Sequence, residues 1–282
     1  MYENVYGLTC IENHVIAFLR ENSIDESYFY YDSMISLSDL FDDIINKKES
    51  VFDYSGTEKV QNICKTMNII KLNRVFSPVL YLPASGETIL VHISTDFSKT
   101  ILNSRAFRED HYVSVKKHDE TRVTVTNDIP AKTVVIEADC FKQAFEGDYF
   151  LLSVCGSLSE KDKQTLLSKG YDKYTKVKSC CGIFTPDNAA ISDSRSFRDL
   201  LYLLKMLRVR FSIFLSNFGI RIGLCEIIRQ YEKCLLQMDY SLLRKLEMHS
   251  VQHEIAQKLC EIEISYYREV EGIFDECKRN CF

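Results

Sequence analysis

The chain has 282 residues, 46% of them hydrophobic, and 35 basic against 40 acidic side chains leave a net charge of −5. That is enough apolar material for one or two buried cores, and the acidic balance gives no bulk attraction to nucleic acid. The start, MYENVYGLTC, has no basic stretch leading into an apolar run, so no secretory signal is read. The eleven cysteines, odd in number and without zinc-finger spacing, read as reduced thiols of a cytoplasmic protein with no metal.

In chain order, Cys10 to Arg20 predicts a helix, because Ile11, Val15, Phe18 and Leu19 share one face and Asn22-Ser23 closes it. Ser36 to Asp43 and Thr57 to Cys64 open two further amphipathic helices, the second broken and capped by Gly56-Thr57. The period then shortens to that of strands: Thr88–Ile93, His111–Val115, Arg122–Thr126 and Thr133–Ile136, with His118 to Thr121 as the turn between the second and third. A short helix through Phe141 and Phe145 is predicted to end on Gly147 as its cap, before a last strand from Asp148 to Val154. Helices followed by an antiparallel meander define an α+β class.

Ser157-Leu-Ser-Glu160 then announces a capped helix, and Thr185 to Asn188 a turn. From 190 onward the pattern is almost wholly helical. The apolar stretch Leu200–Leu224 is interrupted by Lys205, Arg208, Arg210 and Arg221, so it predicts a buried helix or helix pair rather than a membrane span. A boundary near Cys155 divides the chain into 1–155 and an all-helical 156–282. Cys64, Cys140, Cys155, Cys225, Cys234 and Cys260 fall in apolar patterns and read as core thiols. No glycine-rich phosphate loop is present, so nucleotide cofactors are not expected.

The chemistry-bearing pattern lies in the first half. Cys10 stands where the loop Tyr6-Gly-Leu-Thr9 turns into a helix, and free N–H groups at a helix start favour a thiolate nucleophile. Such a thiol needs a base, and the base needs a group that orients it. In a hairpin turning near Asp119, His111 on one strand falls opposite Asp128 on the next, which makes Cys10, His111 and Asp128 the candidate catalytic set. A one-residue slip of register brings Asn127 to His111 instead. His14, one helical turn from Cys10, is the rival base, and His92 reads as a packed core residue.

The segment His111 to Pro130, followed by Thr133 to Ile136 and Phe141 to Gly147, resembles the His/Asp half of papain-like cysteine domains, and Thr9 to Arg20 resembles their nucleophile helix. With the strand segment Glu87 to Phe97 and a helical C-terminal region, the chain is similar to the butirosin-biosynthesis protein H type N-terminal domain over about residues 6 to 155. The resemblance implies a papain-like cysteine acyltransferase. An acyl or aminoacyl group passes from the phosphopantetheine thioester of an acyl or peptidyl carrier protein, through an acyl-cysteine, to a small amine in natural-product assembly, with no other cofactor. It also places Asn4 where papain-like enzymes carry a Gln oxyanion donor, the alternative donor being the Cys10 backbone N–H. The basic run Arg195 to Arg229 reads either as a solvated helix face or as a docking patch for an acidic carrier. The tail 252–281 is a candidate bundle or homodimer contact. A peptidase or amidase of the same fold and a non-catalytic binding module are the alternatives.

Overall fold

A computed structural model describes residues 6–50, 56–104, 111–179, 193–219, 222–246 and 248–281. The chain is α+β and forms two compact units, one from residues 1–26 with 54–162 and one from 27–53 with 163–282. The single cut near Cys155 is therefore replaced by a discontinuous division. The cause is the aromatic run Tyr28 to Tyr31. These four side chains are buried, and Tyr28 lies edge-on to Phe214 and Phe218, so the segment folds with the C-terminal helices.

The first unit is built on six antiparallel strands: β1 (Ile70–Phe76), β2 (Thr88–Ile93), β3 (His111–Lys117), β4 (Arg122–Asn127), β5 (Lys132–Glu137) and β6 (Phe145–Val154). Their order across the sheet is β1-β6-β2-β3-β4-β5. The meander β2 to β5 follows the sequence reading. β1 adds an edge strand, and β6 returns to lie between β1 and β2. Gly147 does not cap a helix. It sits within β6 at φ +98, the left-handed region where glycine carries no Cβ penalty.

Odd-numbered β2 to β4 side chains (Ile89, Val91, Val113, Val115, Val123, Val125) close one core with Phe141 and Tyr149. The other face carries Leu72, Leu90, Phe150 and Leu152, all buried, and is covered by α1 (Cys10–Glu21) and α3 (Thr57–Met67). Two short helices are α2 (Leu37–Phe41, continued by a π turn), which belongs to the second unit, and α4 (Thr95–Thr100), between β2 and β3 in the first. α5 (Ala138–Lys142) links β5 to β6.

The second unit holds α6 (Glu160–Ser179), α7 (Ser194–Leu215), α8 (Ile222–Arg244) and α9 (Met248–Cys281). The apolar stretch from Leu200 is thus a helix pair, as its charged interruptions imply. Its core contains Arg208, fully buried, which is paired with Glu263 at 2.6 Å and bonded to the Ile35 carbonyl. Tyr231 and Tyr267 donate their hydroxyls to the same carboxylate. Arg210 is also buried, against Ser33 and the Tyr30 ring. Among the described residues, no helix is long and apolar enough to cross a membrane.

Candidate active site at the start of helix α1

The first turn of α1 is fixed by local chemistry. Thr9 caps it, accepting the Glu12 backbone N–H at 3.3 Å, while the buried Glu12 carboxylate reaches back to accept the Leu8 N–H at 2.7 Å. This is a Thr-x-x-Glu capping box shifted by one residue at its return bond, and Cys10 is its first helical residue. The Thr9-to-Glu12 spacing is visible in the sequence and was the available signal for where the helix starts. Gly7 is required just before it: a Cβ there would stand 2.2 Å from Asn13 Oδ1.

β3 and β4 pair one step out of the expected register, with Ser114 opposite Thr126 and Val115 opposite Val125. The turn causes the shift. The His118 N–H bonds back to the Arg122 carbonyl, and Asp119 caps Thr121 and Arg122, so His118 faces Arg122 and not Thr121. In this register His111 and Asn127 share a face, and Asp128 points to the other. The buried His111 ring meets the Asn127 Oδ1 at 2.6 Å, and Asn127 donates its amide to the Pro130 carbonyl at 2.9 Å. The second amide bond fixes which end of Asn127 faces the imidazole.

Asp128 lies instead on the side of α1. Its Oδ2 accepts the Asn13 amide at 2.9 Å, and its charge acts on both Cys10 and His14. His14 is buried with Nε2 3.0 Å from the Tyr112 carbonyl, and burial first of all lowers its pKa. Tyr112 thereby touches α1 twice, since its backbone N–H also bonds the Cys10 thiol. Its hydroxyl donates to Asp148 at 2.7 Å, its ring stacks on His92, and Asp148 also holds Arg74 and His92. His92 is thus hydrogen-bonded into a polar network rather than packed as an apolar core residue.

Cys10 is half-buried. Burial of the thiol and the Asp128 charge push its pKa up to about 12, against backbone N–H groups of Tyr112, Ile11 and Cys10 that pull it down. The helix start acts in the expected direction, but desolvation outweighs it, so the resting group is a thiol and not the thiolate anticipated. No hydrogen bond joins Cys10 to His111 among the described residues. The site therefore brings together Cys10, His14 and Asp128 on one side and His111 with Asn127 on the other. Asn4 lies outside the described residues.

Elsewhere the sequence-level candidates fare unevenly. Cys64 and Cys234 are buried and Cys260 is half-buried, but Cys140 on α5, Cys155 just past β6 and Cys225 on α8 are exposed. In the basic run, Arg195 is exposed and several of the other cations have acidic partners. Arg208 and Arg210 are interior, Arg198 pairs with Asp239, Lys205 with Glu232 and Arg229 with Glu226. Arg221 and the turn Thr185 to Asn188 lie outside the described residues. Among the described residues, no cluster of ligating side chains could hold a metal ion.

No protein-family model and no curated protein matches this chain.

Proposed function

We propose that this chain is a cysteine-dependent acyl-transfer enzyme of papain-like type. One observation carries the reading. At the capped start of α1, the Cys10 thiol is bonded by the Tyr112 N–H, and the preceding strand residue is a buried His111 whose ring is oriented by Asn127. A nucleophile, a base and a group that orients the base are the minimum set for this chemistry.

In the proposed cycle, an acyl thioester enters beside Cys10. His111 takes the thiol proton as sulfur attacks the carbonyl, and returns it to the departing thiol, leaving an acyl-cysteine. An amine then attacks that carbonyl. His111 takes the amine proton and delivers it to the released Cys10 sulfur, giving amide and free thiol. The raised thiol pKa supports proton removal during attack rather than a standing ion pair. Since the two groups share no hydrogen bond at rest, the reading requires them to close when the donor binds. A carrier-protein thioester as donor, a small amine as acceptor and a cytoplasmic setting are supported by the resemblance of residues 6 to 155 alone. The test is incubation of the full chain with an acyl N-acetylcysteamine thioester and an amine, read by mass spectrometry. Amide that depends on Cys10 and His111 supports transfer, and free acid alone supports a hydrolase.

The thiol's shift to about 12 specifically favours a second reading, a binding module in which Cys10 is inert. Absence of acyl-Cys10 with every donor supports that reading.

A further inference from the structure

We propose that Asp128 is the subsite for an ammonium group of the substrate, beside the Cys10 thiol, rather than the member of the site that orients the histidine. The inference deepens the acyl-transfer reading and takes the ammonium's place in the reaction from it.

The histidine does not need Asp128, because Asn127 occupies its ring nitrogen. Asp128 is 95% buried as a residue, being 5% exposed. Asn13 takes its Oδ2, while Oδ1 is enclosed and has no hydrogen-bond partner among the described residues. No Lys or Arg among the described residues pairs with this carboxylate. The titratable base on α1, His14, is shifted toward its neutral form, by burial first of all. A buried carboxylate with an unsatisfied oxygen is costly unless a cation or a donor completes it. This oxygen belongs to a group whose charge acts on both the Cys10 sulfur and His14. An ammonium carries three donors on a compact positive charge, and its N–H groups suit one unfilled carboxylate oxygen. Positive charge beside the thiol also relieves the repulsion that the Asp128 charge exerts on a developing thiolate.

Two sources share this chemistry: the α-ammonium of an aminoacyl donor, and the amine of the acceptor. The first test needs neither. Cys10 in the full chain is modified with methanethiosulfonates carrying 2-aminoethyl, ethyl or 2-sulfonatoethyl groups, and labelling is read peptide by peptide against the exposed Cys140. The proposal expects the cationic-to-anionic rate ratio at Cys10 to exceed that at Cys140 by about tenfold or more, the scale of one close charge pair. Asp128→Asn, which keeps an oxygen for Asn13, brings the two ratios together. Equal ratios at Cys10 and Cys140 in the wild-type chain overturn the proposal without any variant.

A second arm assigns the source. With glycyl and acetyl N-acetylcysteamine thioesters as donors, an aminoacyl site predicts that Asp128→Asn lowers the glycyl-to-acetyl ratio of Cys10 acylation about tenfold. An acceptor site leaves that ratio alone and raises the KM for the amine. Neither change, in a folded variant, overturns the proposal. If the wild-type chain forms no acyl-Cys10 from either donor, the acyl-transfer reading fails, and the charge series still decides whether Asp128 receives a cation.

Discussion

The ionisation of Cys10 is open to a quantitative test. Its thiol lies at about 12 against an ordinary value of 9.0, through burial and then the Asp128 charge. At pH 8 that difference lowers the thiolate fraction by about a thousandfold. A more basic thiolate is intrinsically the better nucleophile, with a Brønsted slope near 0.45, which returns a factor of about 25. Alkylation of Cys10 at pH 8 is therefore expected to be roughly 40-fold slower than at an unperturbed cysteine. The assay is iodoacetamide labelling of the native chain between pH 7 and 10.5, quantified by peptide mass spectrometry with the exposed Cys140 as internal reference. The Cys10 rate should climb about tenfold per pH unit across the whole range. Asp128→Asn removes the second cause of the shift and should speed labelling at fixed pH. A Cys10 rate equal to that of Cys140 at pH 8, or a plateau below pH 9, refutes the assignment of a neutral resting thiol.

Three further outcomes follow from the packing. Gly7→Ala should destabilise the chain by about 1–3 kcal/mol in urea unfolding, because its Cβ meets the Asn13 side chain and backbone. Asp148 is penalised by burial, but its bonds from Arg74, Tyr112 and His92 outweigh that and lower its pKa. A depressed folded pKa contributes stability that is present above the unfolded carboxylate range and lost as pH falls through the folded value. Asp148→Asn should therefore flatten the acid limb of a thermal-melting series below about pH 4. In the second unit, Glu263→Ala strands the buried Arg208 and should cost about 3–5 kcal/mol in denaturant unfolding, whereas an added Arg208→Met should recover much of that loss. Additive losses in the double variant contradict a coupled pair.

The helices were legible where apolar spacing and caps agreed, as at α1, α3 and the α7–α8 pair. The meander was legible because β2 and β3 are short apolar runs, β4 and β5 alternate, and β3 to β5 are joined by short turns. β1 was not: Lys71, Asn73 and Arg74 break its apolar signal, and its partner in β6 is remote in sequence. The site was legible as residue types but not as pairings. Choosing Asn127 or Asp128 depended on whether His118 faces Thr121 or Arg122 across the turn, and a one-residue step exchanges the faces of a strand. The thiol's ionisation was out of reach as well, because desolvation and the Asp128 charge arise only when α1 packs on β3 and Asp128, just past β4, meets Asn13. Likewise Arg208 and Arg210 read as a solvated or docking face, since the Glu263 that allows burial of Arg208 comes from α9.

The most direct measurement of the central claim is the mass of Cys10 after brief exposure of the intact chain to an acyl N-acetylcysteamine thioester at pH 7.5, in the wild type and in His111→Ala. An acyl adduct on Cys10 that is discharged by added amine is expected, with a rate of formation at least about a hundredfold lower without the histidine base. An absent adduct, or one that spreads over Cys140, Cys155 and Cys225 and ignores His111, contradicts the claim.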